Sequence, residues 1–571
     1  MEIIRVEDLN FKYADGKQAL KNINLSLEEG EMLCLCGPTG SGKSTLLRLL
    51  KRELSPRGEK SGNIFISGRR QDDLSDREAA TDVGFVFQRP DMQIVTDKVW
   101  HELAFGLENL GVGQDEIRRR VCEIAGYFGM ESWFERSTDS LSGGQKQLLN
   151  LASVMVMQPK LLILDEPVSQ LDPIAASDFI ATIGKLCREF GISIIAAEQR
   201  LEELIPASDK LLAISDGEIA AFGETRECVG TLISNEIFSS SMPASAKIYM
   251  NLTGSYKEES TERGKERPGA ASDGSATAGF AELPLSVGEG RRFLSEYIKK
   301  HVCAPEAVKA VDFAKAPEAP EDAKTSEHMK GSEFAKAPKD PEDAKTSEHM
   351  KRSEFAKTPE DALEFREVYL KYERNGRDIL RALSFKVGKG EIFCILGGNG
   401  AGKSTAVCAA AGLFKPYSGK IKVFGKDIRD YRGQELYRSC VAMLPQDVQT
   451  VFVSDDYNGR HPYDLSGGEQ QLAALEIVLK TEPKLLLLDE PTKGLDAGLA
   501  QSLRKRLKEL AAGGVTIVIV SHDVEFAAST ADRCAFLFNG EVVSVSDAGE
   551  FFTGNYFYTT AYNRITRGII K

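Results

Sequence analysis

No apolar run in this chain is long enough to cross a bilayer. Stretches such as Val515 to Val520 and Leu485 to Leu488 are strand-length, far below the roughly 18 residues a spanning helix needs, so any membrane role requires a partner. The opening residues, Met1-Glu2-Ile3-Ile4-Arg5-Val6, do not resemble a signal peptide, and a cytoplasmic chain is expected. None of the ten cysteines forms a C-x-x-C pair, and Cys34, Cys36 and Cys394 fall in expected buried strands. That pattern reads as core packing rather than metal ligation or disulfide bonding. An excess of positive charge is also missing: the net charge of −13 argues against extended binding to nucleic acid or anionic lipid. What is present is apolar content, 42% across 571 residues, ample for two or more domains with large cores.

Two glycine-rich octapeptides match G-x-x-x-x-G-K-[ST]. They are Gly37-Pro38-Thr39-Gly40-Ser41-Gly42-Lys43-Ser44 and Gly397-Gly398-Asn399-Gly400-Ala401-Gly402-Lys403-Ser404, followed by Thr45 and Thr405. Such a loop turns backbone N–H groups inward around a phosphate, brings a lysine ammonium to the outer phosphates and offers a serine hydroxyl to Mg²⁺. Each copy follows an apolar run (Met32 to Cys36; Ile392 to Leu396) and opens a helix-forming segment, the strand-loop-helix setting the chemistry requires.

Around these loops, residues 1–235 and 362–571 read as two copies of one α/β domain, with strand-length apolar runs alternating with amphipathic stretches. The expected fold is thus α/β, two phosphate-loop domains in tandem joined by a linker over 236–361. Residues 250–285 are rich in Ser, Gly, Glu and Lys, and a helical-looking patch follows at Gly290 to His301. A 21-residue repeat then occupies 313–361, and its prolines and scarce apolar surface predict a largely disordered tether rather than a solenoid.

In each half a buried run ends in two acids and a proline: Asp165-Glu166-Pro167 and Asp489-Glu490-Pro491. A strand of this kind delivers both carboxylates to the sheet edge where open α/β sheets bind ligands. There the aspartate suits Mg²⁺ and the glutamate suits a general base for an attacking water.

Shortly before each acidic strand stand Leu141-Ser142-Gly143-Gly144-Gln145 and Leu465-Ser466-Gly467-Gly468-Glu469. These resemble the signature of ATP-binding cassette (ABC) ATPases. The resemblance implies that two cassettes pair head to tail, each ATP lying between one phosphate loop and the other cassette's Ser-Gly-Gly. It also implies Tyr13 and Tyr372 as adenine-stacking residues, Gln88 and Gln446 as sensors of Mg²⁺ and the attacking water, and Asp172 and Asp496 in the loops beyond the acidic strands. Mg²⁺ would then be held by Ser44, Gln88 and Asp165 in one half and by Ser404, Gln446 and Asp489 in the other.

Narrower strings, Pro90-Asp91-Met92-Gln93-Ile94, Glu102 to Asn109, Arg460-His461-Pro462-Tyr463-Asp464, Pro491 to Asp496 and Phe557 to Ala561, look like the fused ATPases of energy-coupling factor importers. That resemblance implies a transmembrane coupling subunit and a small substrate-capturing membrane protein as partners, and a place on the cytoplasmic face of the membrane. A ribosome-acting twin-cassette ATPase is the rival reading, opposed by an acidic, proline-broken linker where a basic helical one is needed; an uncoupled remnant of a transporter ATPase is the other.

Two departures from the pattern stand out. His522 stands where, by the resemblance, members of that family carry a histidine contacting the γ-phosphate, whereas the first half has Gln199, which predicts a fast and a slow site. From Gln88 to Leu141 is 53 positions but from Gln446 to Leu465 only 19, so the second half is 34 residues short where the helical subdomain belongs.

Overall fold

The computed structural model describes residues 1–169, 171–199, 201–262, 282–300, 361–373, 376–432, 434–438, 440–453, 457 and 461–570. The 21-residue repeat and Arg460 lie outside the described residues.

Each half is built on a six-stranded sheet of the same order. In the first, Val83–Val86, Leu161–Asp165, Ser193–Ala197, Met32–Cys36 and Lys210–Ser215 run parallel, and Glu218–Glu224 closes the edge antiparallel. In the second, the sequence is Val441–Leu444, Leu485–Asp489, Thr516–Val520, Ile392–Leu396, Arg533–Phe538, with Glu541–Asp547 antiparallel. The five residues of Met32–Cys36, Leu161–Asp165, Ile392–Leu396 and Leu485–Asp489 are all buried, as strands covered on both faces must be. A four-stranded antiparallel sheet lies beside each: Gln18–Glu28, Glu2–Tyr13, Gly58–Ile66 and Arg69–Arg70, repeated as Leu380–Gly388, Asp361–Leu370, Ser418–Val423 and Lys426–Asp427. Its alternating burial is that of a sheet with one face on the core.

The halves differ in the interval before the signature. The first carries helices Val99–Asn109 and Gln114–Tyr127, whose Val99, Leu103, Leu107, Ile117 and Val121 join the main core together with Trp133. In the second, the described residues of that interval form only short 3-10 turns at Val448–Val451 and Pro462–Asp464. There Tyr457 donates to Glu476 Oε2 (2.6 Å) and meets Phe452 edge-on, so the short loop folds back onto the helix Gly467–Leu479.

The expected linker begins as ordered structure. Helices Ala244–Glu262 and Val287–Lys300 pack with Ala561–Thr566 of the second half around Ile248, Leu252, Leu294 and Ile565, forming a clasp between the halves. Arg291 fastens it by donating to the Arg564 carbonyl (2.6 Å).

Candidate functional site

Gly37 and Gly397 begin the two loops with φ of 152° and 155°, and a Cβ on either would lie 2.1 or 2.2 Å from the carbonyl oxygen of Ile214 or Leu537. Only glycine fits this close approach. Helices Lys43–Leu50 and Lys403–Ala410 follow, their first N–H groups uncapped by any side chain and available to an anion. Lys43 donates to the carbonyls of Gly37 (2.6 Å) and Pro38 (3.0 Å), and Lys403 to those of Gly397 (2.8 Å) and Gly398 (3.0 Å). Burial lowers the pKa of both lysines. Thr39 Oγ1 and Ser41 Oγ are buried in the first loop without a partner among the described residues, as expected of groups that await a ligand.

Ser44 donates to Asp165 Oδ1 and Ser404 to Asp489 Oδ1, each at 3.0 Å. A hydroxyl and a carboxylate so placed form the hard oxygen set that suits Mg²⁺. Burial raises the pKa of Asp165 and pushes Asp489 up to about 6; a divalent cation would reverse that cost.

Glu166 and Glu490 sit one residue beyond, at φ of 47° and 53°. A left-handed glutamate is strained, and its recurrence at both strand ends marks a position where carboxylate direction matters. Their partners differ. Glu166 accepts from Gln88 on one oxygen and from Gln199 on the other, both at 2.6 Å. Burial and then Asp165 raise its pKa to about 7 against the opposing pull of Lys43. Glu490 Oε2 instead faces His522 Nδ1 (2.7 Å) and the His522 backbone N–H (3.3 Å). His522 is 5% exposed, and its Nε2 has no partner among the described residues. Gln446 is exposed and makes no side-chain hydrogen bond to a described residue, so the structure brings Gln88 but not Gln446 to the acidic pair.

The signature serines cap helices. Ser142 Oγ accepts from Gln145 N (3.3 Å) while Gln145 Oε1 accepts from Ser142 N (3.0 Å), and Ser466 and Glu469 repeat the box. Gly143 and Gly467 have open space where a Cβ would stand, whereas Gly468 lies against Gly494 and Leu495 of the next loop. That loop leads across the molecule: Asp496 Oδ2 accepts from Thr39 N (2.5 Å), and Asp172 Oδ2 accepts from Asn399 N (3.2 Å). Each phosphate loop is thereby touched by the opposite half.

Tyr13 and Tyr372 hydrogen-bond through their hydroxyls to Thr45 (2.8 Å) and Thr405 (2.6 Å), which fixes an aromatic ring beside each loop. Tyr558 escaped the sequence reading as a site residue. Its hydroxyl lies 3.5 Å from the position of a Cβ on Gly398, and its ring packs on Phe536. The only signal was its membership in the Phe557 to Ala561 string.

A family model described as "ABC transporter" matches residues 20–169 and 380–456, and one described as "AAA domain, putative AbiEii toxin, Type IV TA system" matches 422–528. A putative ABC transporter ATP-binding protein of Bacillus thuringiensis subsp. konkukian is 33% identical, covering 98% of this chain and 95% of its own. One from Streptomyces avermitilis is 32% identical, covering 96% and 94%. Among solved structures, CbiO1 of Clostridium perfringens, described as part of the ABC transporter complex CbiONQ, is 32% identical over 46% of this chain and 99% of its own, with a TM-score of 0.38. With relatives of that identity along nearly its whole length, the chain belongs to the ABC transporter ATP-binding proteins: it is an ATPase with two cassettes that bind ATP with Mg²⁺.

Proposed function

We propose that this chain energises import through a membrane transporter of the energy-coupling factor type, seated on the cytoplasmic face of the membrane against a transmembrane coupling subunit that works with a small substrate-capturing protein. The observation that carries the reading is the pair of cross contacts, Asp496 to Thr39 and Asp172 to Asn399, which make each nucleotide site a joint product of both halves. Nucleotide held this way closes the halves together, and its hydrolysis lets them part, which is the motion a transporter can use.

The phosphate-loop amides and Lys43 or Lys403 bind the outer phosphates; Ser44 and Asp165 in one half, and Ser404 and Asp489 in the other, would hold Mg²⁺, which would supply charge neutralisation there. Glu166 or Glu490 orients a water whose oxygen bonds to the γ-phosphorus as the bond to the β-phosphate oxygen breaks, and the carboxylate receives the water's proton. Tyr13 and Tyr372 hold the adenine, and Ser142 and Ser466 close the sites from the opposite half.

Apolar side chains exposed near the first signature, Met92, Val95, Trp100 and Phe105, offer the face on which a coupling subunit docks. The test is co-purification with that subunit from detergent, together with Mg²⁺-dependent ATP hydrolysis. Stable association with stimulated hydrolysis is expected. Hydrolysis without association favours the uncoupled remnant, a reading to which the short interval before the second signature lends weight.

A further inference from the structure

The tail Phe557 to Ala561 is a string that the nucleotide chemistry above leaves without a task. It is held firmly. The Phe557 carbonyl accepts from Arg564 Nη2 (3.1 Å), and Thr559 Oγ1 donates to the Phe552 carbonyl while accepting from Asn563 Nδ2 (3.2 Å). Thr560 Oγ1 caps the helix Ala561–Thr566 by accepting from Asn563 N (3.1 Å), and Glu525 Oε1 accepts the Ala561 N–H (2.7 Å). Tyr558 lies inside this pinned segment, which fixes where its ring can go.

The ring packs on Phe536, with centroids 4.8 Å apart, and Phe536 pairs across the sheet with Leu396, the last residue before the second phosphate loop. A Cβ on Gly398 would lie 3.5 Å from the Tyr558 hydroxyl and 4.0 Å from Asp172 Oδ2. A phenol from one half and a carboxylate from the other thus stand over the same point of the loop. The hydroxyl makes no hydrogen bond among the described residues. Asp172 Oδ1 is committed to Ala175 N (3.0 Å) at the start of its own helix, and Oδ2 accepts the Asn399 N–H at 3.2 Å, a long contact on an oxygen with room for a second donor. Burial, and then the negative charge of Asp172, raise the pKa of Tyr558, which keeps the phenol protonated as a donor.

We propose that Tyr558 is a positioning residue of the second nucleotide site: its hydroxyl donates to Asp172 Oδ2 as the halves close on nucleotide, and so fixes the opposite half's carboxylate over Asn399. The inference rests on the ATPase reading above and deepens it. A carboxylate with nothing beside it but one loop amide is free to swing, and the loop is then loosely closed. A donor of fixed direction removes that freedom, and a hydrogen bond to a charged acceptor is worth about tenfold. Because the halves close as a pair, a loosened cross contact slows turnover of the whole chain.

The experiment measures kcat and KM for Mg²⁺-ATP, together with thermal melts, on the full chain. The variants are Tyr558→Phe, Asp172→Ala, Asp496→Ala and the two doubles that combine Tyr558→Phe with each alanine. Tyr558→Phe keeps the ring on Phe536 and deletes the hydroxyl alone. Its melting temperature should match that of the native chain and its KM stay within about twofold, because Tyr558 acts through Asp172 and not on the nucleotide, while kcat falls about tenfold. Added to Asp172→Ala, it should cost less than about twofold more, since its acceptor is already gone; added to Asp496→Ala, at the other cross contact, the full loss should recur. If Asp172→Ala turns over too slowly to compare, Asp172→Asn takes its place in the cycle. Native kcat in Tyr558→Phe, a lowered melting temperature, a loss confined to KM, or losses that multiply with the Asp172 variant overturn the inference and leave the ATPase reading in place. Absence of ATP hydrolysis by the native chain overturns both.

Discussion

Asp496 divides its carboxylate between the two halves of the molecule: Oδ1 accepts from Leu499 N (2.8 Å) at the start of its own helix, and Oδ2 accepts from Thr39 N (2.5 Å) in the opposite phosphate loop. The two roles separate under mutation. Alanine removes both, and the lost cap alone costs about 1 kcal/mol. Asparagine keeps an oxygen for Leu499 but turns an NH₂ toward the Thr39 N–H, donor against donor. Asp496→Asn is therefore expected to melt near the native temperature while ATP turnover falls about tenfold, the worth of one hydrogen bond to a charged group. Asp496→Ala should lose both, with a melting decrease of roughly 2–4 °C for a domain of this size. Thermal melts and hydrolysis rates on the two variants check this, and a parallel loss in Asp496→Asn would show that the cross contact carries no separate function.

A second relationship spans the halves away from the nucleotide. Glu202 Oε2 accepts the N–H of Ala244 (3.0 Å) and Glu525 Oε1 that of Ala561 (2.7 Å), each anchoring the first residue of a clasp helix. Burial pushes Glu202 up to about 7, a nearby Glu525 carboxylate adds to this, and Lys247 and Arg564 oppose it. The folded protein thus keeps a proton that the unfolded chain releases near 4.5. Over that window the native state binds more protons, so the group subtracts stability as pH rises from about 4.5 through 7, by up to about 3 kcal/mol above it. Glu202→Gln retains an oxygen for Ala244 and removes the titration. Its melting temperature relative to native should climb between pH 5.5 and pH 8. A difference that is constant with pH would mean Glu202 does not titrate there.

The clasp itself is tightly packed. A Cβ on Gly290 would lie 2.9 Å from Ser245 Cβ and 3.4 Å from Ile565 Cδ1, so the helix Val287–Lys300 approaches both neighbours by virtue of having no side chain there. Gly290→Val is expected to cost about 1–3 kcal/mol through overpacking. Because the strain falls on the contact between halves, limited proteolysis should cut within the helix Val287–Lys300 sooner than in the native chain. Unchanged cleavage would show that the clasp adjusts.

What the sequence made legible was what is encoded locally. A phosphate loop is eight residues with its own backbone chemistry, and Lys43, Ser44 and Asp165 stand together because a strand, a loop and a helix leave them little choice. The shorter interval after Gln446 was also visible, since 19 positions where the first half has 53 between matching motifs is a local fact. The contacts that close over long distances were not. Asp496 and Thr39 lie 457 positions apart and meet only once two whole domains have folded. Gln88 reaches Glu166, while Gln446 stays exposed. The clasp was half seen. The patch ending at His301 carries a helical pattern that matches Val287–Lys300, but Ala244–Glu262 has weak amphipathic character and owes its place to packing against Leu294 and Ile565.

The same short interval sets the last prediction. In the first half, Trp100 and Phe105 stand exposed on the helix Val99–Asn109, which is itself held by Leu103 and Leu107 in the core. The second half has no counterpart helix among its described residues, and its short loop is occupied by contacts to its own neighbours through Phe452 and Tyr457. A coupling subunit that docks through this region should grip the molecule on one side. Single cysteines at Trp100, Phe105 and Tyr463, each paired with a short bifunctional crosslinker on the assembled complex, are expected to capture the coupling subunit from the first two positions and at least tenfold less from Tyr463. Alanine at Trp100 should weaken association by about 1–3 kcal/mol, the usual loss for an aromatic anchor at an interface, while intrinsic ATP hydrolysis continues. Equal capture from Tyr463 would mean that the short loop of the second half docks after all, despite its length.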